Sequence, residues 1–391
     1  MNHFLSFVNR LIPKRKMILF NSFPDLSGNA LALYEYILKN RPDIVREYRL
    51  VWCIGSDIRA CRETLTRRTG TTRHRLVKKR SLVGILCYFR ARYIISTHGF
   101  FPFIRTAGKQ IHLNVWHGMP FKKIGRMLED VHTNGKRDEA DMTISTSPLF
   151  RDIMARSFAL EKERVLVTGQ PCNDFLFDRG DVLHRFGIDR ASFSKVLIWM
   201  PTYRQSVVGD IRQDGRADGF GVYEVLTEHF DELDQLLQVQ GILLLIKPHP
   251  MDVINTIDFP KSRSMMTITD DELFGKHTQL YELLAGCDVL LTDYSSVFID
   301  FLVTGKPIAF VCSDLQEYSA TRGFCFEPPT EYMPGELIGN YRELVGYLQH
   351  MEPVNEKWRE AYRSIQKAFH SYCDRDSSER LCSAVFGSPE P

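Results

Sequence analysis

The sequence lacks any long hydrophobic run. Its longest apolar stretches, such as 242–246 and 289–291, are as long as β-strands, whereas a helix that spans a membrane needs ~20 apolar residues. The 9 cysteines are scattered and form no CxxC pair, which argues against both a disulfide framework and a structural zinc site. We therefore expect a cytosolic protein with reduced thiols and no transmembrane segment.

The signatures of several functional classes are also missing. The sequence contains no P-loop, no GxGxxG after the first predicted strand, no HExxH, no GxSxG and no protein-kinase motif set. It has no RNP, helix-turn-helix or zinc-finger signature either, which argues against nucleic acid as a partner. No motif requires a metal ion or another cofactor, so we expect none.

The composition is that of a soluble globular protein. Of the 391 residues, 44% are hydrophobic, 25% are charged and 12% are aromatic. This length exceeds what one hydrophobic core usually organises, so we expect two domains.

The charges are distributed unevenly along the chain. Residues 1–130 carry 24 Lys and Arg against 8 Asp and Glu, and no acidic residue lies between Glu63 and Glu129. The rest of the chain carries 26 basic and 40 acidic residues. A local excess of this kind attracts anions. It indicates an anionic membrane surface or a lipid-linked phosphate as a partner, and a solvated basic surface is the alternative.

Residues 1–16 predict an amphipathic helix with a basic end. Apolar side chains recur at helical spacing from Phe4 to Ile12, and three basic residues follow at 14–16. The segment lacks the cleavage site and the length of a signal peptide. It either lies on a membrane surface or packs on the first domain.

Short β-branched runs alternate with helical patterns from residue 17 onward. This alternation predicts parallel sheets with crossover helices. We expect an α/β fold of two Rossmann-like domains, 17–180 and 190–334, which face a cleft. Helices over 335–391 are expected to pack back across the seam. In such sheets ligands bind at the carboxyl ends of the strands, so the polar residues at those ends are the candidates for a site.

His117 follows one of these predicted strands, 113–116. Gly118 after it permits a close approach of the backbone, and Lys122 lies near enough in sequence to attract an anion. An imidazole has an ordinary pKa near 6.5, so His117 could take a proton from a hydroxyl at neutral pH. A hydrogen-bonded structural histidine is the alternative.

His249 follows the predicted strand 242–247 in the sequence Lys247-Pro-His249-Pro. The flanking prolines hold it in an extended conformation, and Lys247 supplies a fixed positive charge. We expect His249 to face His117 across the cleft between the two domains.

A third strand, 289–292, turns into a helix through Asp293, Ser295 and Ser296. Hydroxyl groups and unpaired N–H groups at a helix N-terminus bind anions, and a pyrophosphate would fit there. An ordinary helix cap formed by Asp293 or Ser295 is the alternative.

Four further residues follow or precede predicted elements and could complete a site. Arg204 and Arg322 suit bidentate contact with phosphate. Asn173 and Asp174, near the predicted seam, could bind or orient hydroxyl groups.

Six ordered motifs together resemble the CDP-glycerol glycerophosphotransferase family of teichoic-acid synthesis. They are WHGMPFKKIG at 116–125, TGQPCNDFL at 168–176, MPTYR at 200–204, KPHP at 247–250, TDYSSVFIDF at 292–301 and RGF at 322–324. The stretch at 11–23 also resembles the basic entry and first strand of that family, so the resemblance covers nearly the whole chain.

The resemblance implies a GT-B-like fold and a polyol-phosphate transfer. In that reaction an acceptor hydroxyl attacks the β-phosphorus of CDP-glycerol or CDP-ribitol, and CMP leaves. His117 would be the general base, and His249 would hold or protonate the pyrophosphate. Ser295, Ser296, Arg204, Arg322 and Lys247 would contact the donor phosphates. Asn173, Asp174, Asp293, Gly118 and Lys122 would contact the substrates.

The family also implies a setting at the cytoplasmic face of the bacterial membrane. The acceptor would be a lipid-linked diphosphate glycan or a polyol-phosphate polymer of the teichoic-acid or capsule type, and a homo-oligomer is compatible with the sequence. Two departures affect specificity. Cys172 stands where the family usually has arginine, and the chain lacks the long N-terminal extension of polymerising members, which favours a priming enzyme. Capsule polymerases built on the same module keep a polymerase as the alternative.

Two other functions are compatible with the predicted fold. One is a GT-B glycosyltransferase that uses a nucleotide sugar. The other is a non-catalytic module that binds lipid or polymer.

Overall fold

A computed structural model of the chain describes residues 2–102, 104–128, 140–178, 180–202, 220–249, 260, 262–321, 323–351 and 356–388. The chain divides into two compact units. Unit 1 comprises Met1–Met119, Ile124–Phe175 and His370–Pro391, and unit 2 comprises Pro120–Lys123 and Leu176–Phe369.

Unit 1 is built on a seven-stranded parallel sheet in the order β3-β2-β1-β4-β5-β6-β7. Its strands are β1 (Arg15–Asn21), β2 (Arg49–Ile54), β3 (Leu76–Lys78), β4 (Ala91–Ser96), β5 (Ile111–Asn114), β6 (Met142–Ser145) and β7 (Val165–Val167).

Unit 2 is built on a six-stranded parallel sheet in the order β10-β9-β8-β11-β12-β13. Its strands are β8 (Lys195–Met200), β9 (Ile242–Ile246), β10 (Met265–Thr267), β11 (Val289–Thr292), β12 (Ile308–Val311) and β13 (Glu336–Ile338).

Helices connect the strands. Those of unit 1 are α1 (Asn2–Leu11), α2 (Gly28–Asn40), α3 (Pro42–Glu47), α4 (Ile58–Thr69), α5 (Leu82–Arg90), α6 (Pro148–Phe158) and the last helix, α15 (Ser377–Phe386). Those of unit 2 are α7 (Val222–Glu228), α8 (Phe230–Gln240), α9 (Asp270–Gly275), α10 (Leu280–Ala285), α11 (Val297–Phe301), α12 (Leu315–Thr321), α13 (Tyr341–Gln349) and α14 (Glu356–Phe369).

Local sequence explains where these elements begin. Ser81 precedes α5, and its side chain accepts a hydrogen bond from the Gly84 N–H. Asp57 caps α4 in the same way, while Thr269 and Glu272 form a reciprocal capping box at the start of α9. Each cap satisfies N–H groups that the first turn of a helix leaves unpaired.

The strands are apolar because helices can cover both faces of a parallel sheet. All five residues of β9 and all four of β11 and β12 are buried. In unit 2 they contribute to a core cluster that includes Trp199, Leu244 and Leu291. In unit 1, a cluster around Leu19, Ile94 and other buried residues lies on the face that α1 and α5 cover.

The strand order reverses direction at one point in each sheet. In unit 1 the reversal lies between β1 and β4, and in unit 2 it lies between β8 and β11. Connections leave in opposite directions there, and ligands of open α/β sheets bind at this point, outside the carboxyl ends of the strands. Ligand-binding residues are therefore expected after the strands at these two points and after the strands beside them, which include β4, β5, β8, β9 and β11.

The predicted fold class is confirmed, since both sheets are parallel throughout and each unit has Rossmann-like strand order. Some elements differ from the prediction. Within the predicted helical tail, the sequence pattern favours one helix over 336–348, but this segment begins with β13, which pairs with β12. The sequence pattern also predicts one helix over 222–239, and the structure divides it at His229 into α7 and α8.

The two compact units also differ from the expected domain limits. The chain leaves unit 1 after Phe175, and residues 370–391 belong to unit 1. The predicted tail region, 335–391, is thus shared between both units.

Candidate active site

The carboxyl ends of β4 and β5 bring two histidines together in unit 1. The two strands pair in parallel with Ser96 opposite Asn114, and the Val115 N–H donates to the Ser96 carbonyl at 2.8 Å. His98 follows β4 by two residues, and His117 follows β5 by three. Their imidazole rings stack face to face, with centroids 4.1 Å apart and planes inclined by 4°.

The hydrogen bond that His117 makes defines which of its nitrogens can accept a proton. Its Nδ1 lies 3.2 Å from the Thr97 carbonyl oxygen. A carbonyl can only accept, so Nδ1 carries the hydrogen in this contact and the neutral ring presents the lone pair of Nε2. Desolvation by the surrounding protein lowers the pKa of His117. His117 is solvent-exposed in part, and with a lowered pKa its imidazole is neutral at neutral pH, as a general base must be.

The turn that carries His117 is held by buried amide side chains. Trp116 has a φ of 49°, a left-handed conformation that is uncommon outside glycine. Its N–H donates to Asn114 Oδ1 at 2.9 Å. The buried Asn29 of α2 donates to the carbonyls of Val115 at 2.9 Å and Trp116 at 3.1 Å. These bonds stabilise the strained conformation of the turn. Gly118 follows with a φ of 152° and is buried.

His98 is a functional candidate that sequence reasoning missed. The signal was available, since His98 comes two residues after the strand at 91–96 and His117 comes three residues after the next strand, at 111–114. What the sequence did not show is that these two strands are neighbours in register.

Lys122 belongs to unit 2, although it is only five residues from His117. Lys122 forms an antiparallel bridge with Phe324, and the Cys325 N–H donates to the Phe121 carbonyl at 2.9 Å. The buried Phe121 ring packs against Phe298 and Phe324, with centroids 5.0 and 5.1 Å away. This aromatic anchor fixes the segment Pro120–Lys123 in unit 2.

His249 lies beside two lysines in unit 2. Lys247, a buried residue directly after β9, forms an ion pair with Asp270 at 3.1 Å. Burial, Lys247 and Lys122 all lower the pKa of His249, to about 4, against a smaller opposing effect of Asp270. Cations that disfavour a second positive charge on an imidazole also favour a bound anion, so these charges are compatible with the predicted phosphate contact of Lys247, which remains a prediction.

Asp293 connects the ends of β8 and β11. Its carboxylate accepts from the Thr202 N–H at 3.0 Å and from Thr202 Oγ1 at 2.6 Å. This contact closes the turn at the point where the strand order reverses. The alternative to an anion site is a cap of α11 by Asp293 or Ser295, but Ser296 occupies the capping position, and its side chain makes no capping bond. Ser295 and Ser296 are both half-buried.

Arg204 and Arg322, the two predicted phosphate-binding arginines, lie outside the described residues. Gly323 is described. It adopts a φ of 70°, and a Cβ at this position would lie 3.2 Å from the Lys123 side chain. The segment after Arg322 therefore passes close to the one that carries Lys122.

The motif at 168–174 holds the last helix of unit 1. Both carboxylate oxygens of Asp174 accept, at 2.9 Å, from the N–H groups of Ser377 and Ser378 at the start of α15. Burial raises the pKa of Asp174 to about 6. A Cβ on Gly169 would lie 2.5 Å from Ser377 Oγ. Asn173 is buried. The structure thus assigns Asp174 a structural contact, while substrate contacts of Asn173 and Asp174 remain predictions.

Within the described part of the chain, no group of three or more His, Cys, Asp or Glu side chains is arranged to hold a metal ion. Nor does any helix among the described residues have the length and apolar composition needed to cross a membrane.

Comparison with proteins of known sequence places the chain among wall-polymer enzymes. It is 27% identical to a teichoic acid glycerol-phosphate transferase of Staphylococcus aureus, over 96% of this chain and 94% of that protein. It is also 27% identical to a teichoic acid poly(glycerol phosphate) polymerase of Bacillus subtilis, of which it spans 50%. A teichoic acid ribitol-phosphate primase of Bacillus spizizenii is 24% identical over 70% of the chain.

Solved structures show the same fold. The wall teichoic acid polymerase TagF has a TM-score of 0.75 and 22% identity, over 98% of this chain and 92% of that one. A UDP complex of S. aureus MnaA has a TM-score of 0.51 and 11% identity, over 97% of this chain and 100% of that one. The resemblance seen in the sequence motifs is confirmed by a family model that matches residues 4–387, and the chain belongs to the CDP-glycerol:poly(glycerophosphate) glycerophosphotransferase family.

Proposed function

We propose that this protein transfers glycerol phosphate or ribitol phosphate from a CDP-activated donor to a hydroxyl group of a lipid-linked glycan or a growing polyol-phosphate polymer. The observation that carries the proposal is the state of His117. Its Nδ1 donates to the Thr97 carbonyl, and its pKa is lowered by desolvation, so a neutral imidazole presents Nε2 at the carboxyl end of a parallel sheet.

The reaction is a displacement at phosphorus. The acceptor hydroxyl loses its proton to His117 Nε2 while its oxygen bonds to the β-phosphorus of the donor. The bond between that phosphorus and the bridging oxygen breaks, and its electron pair leaves with CMP. The product is a new phosphodiester. A positioned general base commonly contributes about 10²–10⁴-fold to such a step.

The donor diphosphate is assigned to the cationic group in unit 2. Lys122 and Lys247 both act on His249, and two fixed positive charges match a pyrophosphate anion. An anion bound there favours the protonated imidazole, which can then donate a hydrogen bond to the leaving oxygen. The half-buried hydroxyls of Ser295 and Ser296 and the guanidinium groups of Arg204 and Arg322 are proposed to hold the remaining phosphate oxygens.

The first experiment measures CMP release by the purified protein. CDP-glycerol, CDP-ribitol and a UDP-sugar are each supplied with and without a lipid-diphosphate disaccharide acceptor, and with and without EDTA. We expect acceptor-dependent CMP release from one CDP-polyol, unchanged by EDTA. Mass spectrometry of the acceptor distinguishes addition of one unit from polymerisation.

The other outcomes of the same assay are decisive. Turnover of the UDP-sugar alone would replace the proposal with a glycosyltransferase. Absence of both turnover and calorimetric binding for every donor would favour a non-catalytic module.

We further propose that unit 1 docks on the cytoplasmic face of the membrane through α1 and α5. The inner side of α1 packs on the unit 1 cluster through Leu5 and Val8, and the buried Asn9 donates to the Arg105 carbonyl at 2.8 Å. The helix therefore packs on the unit, and its outer side is left exposed. On this outer side Phe4, Phe7 and Leu11 are 57–66% exposed.

Helix α5 covers the same cluster and adds a second exposed apolar group. Leu82 and Val83 are 86% and 57% exposed. The exposed basic residues Arg10, Arg80 and Lys78 belong to α1 or to the segment that leads into α5. Apolar side chains with a basic surround suit the interface of an anionic bilayer.

A vesicle sedimentation assay tests the membrane proposal. Replacing Phe4 and Phe7 by serine removes exposed apolar groups without touching the packed side of α1, so we expect weaker binding to anionic vesicles and an unchanged melting temperature. Tyr223→Ser, at a 52% exposed aromatic of unit 2, is the matched control. Equal sedimentation of all three proteins would refute the proposal.

A further inference from the structure

We propose that His98 is a positioning residue for this reaction: by stacking on His117 it holds the imidazole in the plane in which Nδ1 donates to the Thr97 carbonyl and Nε2 faces the acceptor. The inference rests on the proposed function of His117 as the base. It adds a residue that none of the motifs of the chain includes.

The two contacts of the His117 ring restrict different motions. An imidazole turns about two single bonds, so one hydrogen bond of 3.2 Å at Nδ1 leaves the ring free to tilt around that contact. A parallel ring at 4.1 Å with an inclination of 4° restricts the tilt, but it does not distinguish the two ring flips. The hydrogen bond selects the flip and the stacking fixes the plane.

Thr97 connects both histidines to the backbone. Its carbonyl accepts from His117, while its hydroxyl lies 2.9 Å from His98 Nδ1 and accepts from the Phe23 N–H at 3.1 Å. The hydroxyl can donate its own hydrogen to His98 Nδ1, which leaves His98 neutral. Phe23 also packs edge-on against the His98 ring, with centroids 5.7 Å apart. His98 is thus itself held on its edge and at one ring nitrogen.

Charge favours the same arrangement. Desolvation, then His117 and Lys79, lower the pKa of His98 to about 3. Two stacked imidazolium rings would repel each other. Because His98 stays neutral, His117 can accept a proton during the reaction without this repulsion. His98 therefore supports the ring of His117 without competing for its proton.

Trp116 contacts the same ring but with a different geometry. Its ring centroid is 4.1 Å from that of His117, with the planes inclined by 34°. Trp116 also packs against Phe158 at 4.7 Å. The tilted Trp116 ring therefore packs against the His117 imidazole without aligning with it, whereas the parallel His98 ring defines the plane of that imidazole.

The test uses the full-length protein with selectively ¹⁵N-labelled histidine. Long-range ¹H–¹⁵N spectra identify which nitrogen of each imidazole carries hydrogen, and the variant His117→Asn assigns the signals of His117. We expect the Nδ1–H form in the wild-type protein and a mixture of both forms in His98→Ala. Because this readout needs no substrate, it separates failure of the positioning proposal from failure of the proposed function.

Kinetics of CMP release provide the second readout. Misplacement of a reacting group can cost on the order of 10²-fold, so we expect kcat of His98→Ala to fall about tenfold to 10²-fold with little change in KM for the donor. His98→Phe retains a flat ring at the stacking distance and is expected to restore most of kcat and the Nδ1–H form. Restoration by Phe also shows that His98 need not transfer a proton.

A matched control and a milder variant guard against a folding defect. His229 stacks on Tyr341 in unit 2 at 3.8 Å with an inclination of 4°, so His229→Ala also removes a stacked imidazole and is expected to leave the His117 signals unchanged. Thr97→Val removes the hydroxyl that holds His98 but retains the carbonyl that holds His117. It is expected to shift the tautomer ratio in the same direction as His98→Ala, by a smaller amount.

Three results would overturn the proposal. The first is a pure Nδ1–H form and wild-type kcat in both His98→Ala and Thr97→Val. The second is an equal loss of kcat in His98→Phe and His98→Ala with the tautomer preserved, which would assign His98 a chemical role. The third is a tautomer change in His229→Ala of the same size as in His98→Ala.

Discussion

Two candidate site histidines, one in each unit, are kept neutral in different ways. Desolvation lowers the pKa of His117 in unit 1, while its hydrogen bond to the Thr97 carbonyl acts to raise that pKa. His249 in unit 2 has desolvation reinforced by Lys247 and Lys122. One ring stacks on a neutral imidazole, while the other lies among cations.

This difference separates two roles that the sequence motifs present alike. A base that must accept a proton is best placed away from fixed cations, because they would oppose its protonated form. A residue that holds a phosphate benefits from them. The surroundings therefore favour His117 as the base and His249 as part of the donor site.

The largest effect is expected from removing the base. His117→Ala should lower kcat about 10²–10⁴-fold with an unchanged melting temperature, measured as CMP release under saturating donor. KM for the donor should change little, because the donor diphosphate is assigned to unit 2. A loss of stability with retained kcat would show that His117 is a structural histidine. The contrast between a base at His117 and a donor-site residue at His249 would then no longer hold.

A smaller effect is expected from reducing the positive charge around His249. Lys122→Gln removes a charge that lowers the pKa of His249, so that pKa should rise above its value of about 4, as followed by NMR titration. Loss of one charged hydrogen bond of ~1.5 kcal/mol should raise KM for the CDP-polyol roughly tenfold. Lys123→Gln is the adjacent control. An equal effect of both variants would show that only net charge matters.

The pH dependence of turnover tests the neutral state of His117, and the expected change in the pH profile is modest. His117 must be unprotonated to act as a base, and its pKa lies below the ordinary value of 6.5. Turnover is therefore present above that lowered pKa and lost as pH falls through it. The acid limb of kcat/KM should have its midpoint below pH 6.5, measured over a range in which the melting temperature is constant. A midpoint above 6.5 would contradict a desolvated base.

The smallest effect on turnover is expected at Asp174. Its carboxylate holds two N–H groups of α15, so Asp174→Ala should lower the free energy of unfolding by about 2 kcal/mol while kcat changes less than twofold. Thermal unfolding and CMP release provide the two measurements. A large loss of kcat without a stability change would restore the substrate contact predicted from the sequence.

Much of the fold could be predicted because it depends on local pattern. The buried runs at β9, β11 and β12 are continuous and apolar, and capping residues mark where helices begin. The errors have local causes too. The apolar residues of Glu336–Ile338 fit the helix that follows as well as an edge strand, and only pairing with β12 decides between them.

The sequence by itself determined the alternation of strands and helices, the family and the placement of His117 and His249 at strand ends. Only the tertiary structure decided that His98 stacks on His117, that Lys122 lies in unit 2 and that Asp174 caps a helix 203 residues further along the chain. The reason is physical. Local periodicity and turn chemistry act between neighbours in the chain, whereas these contacts depend on strand order and register, which are fixed when distant segments pack together.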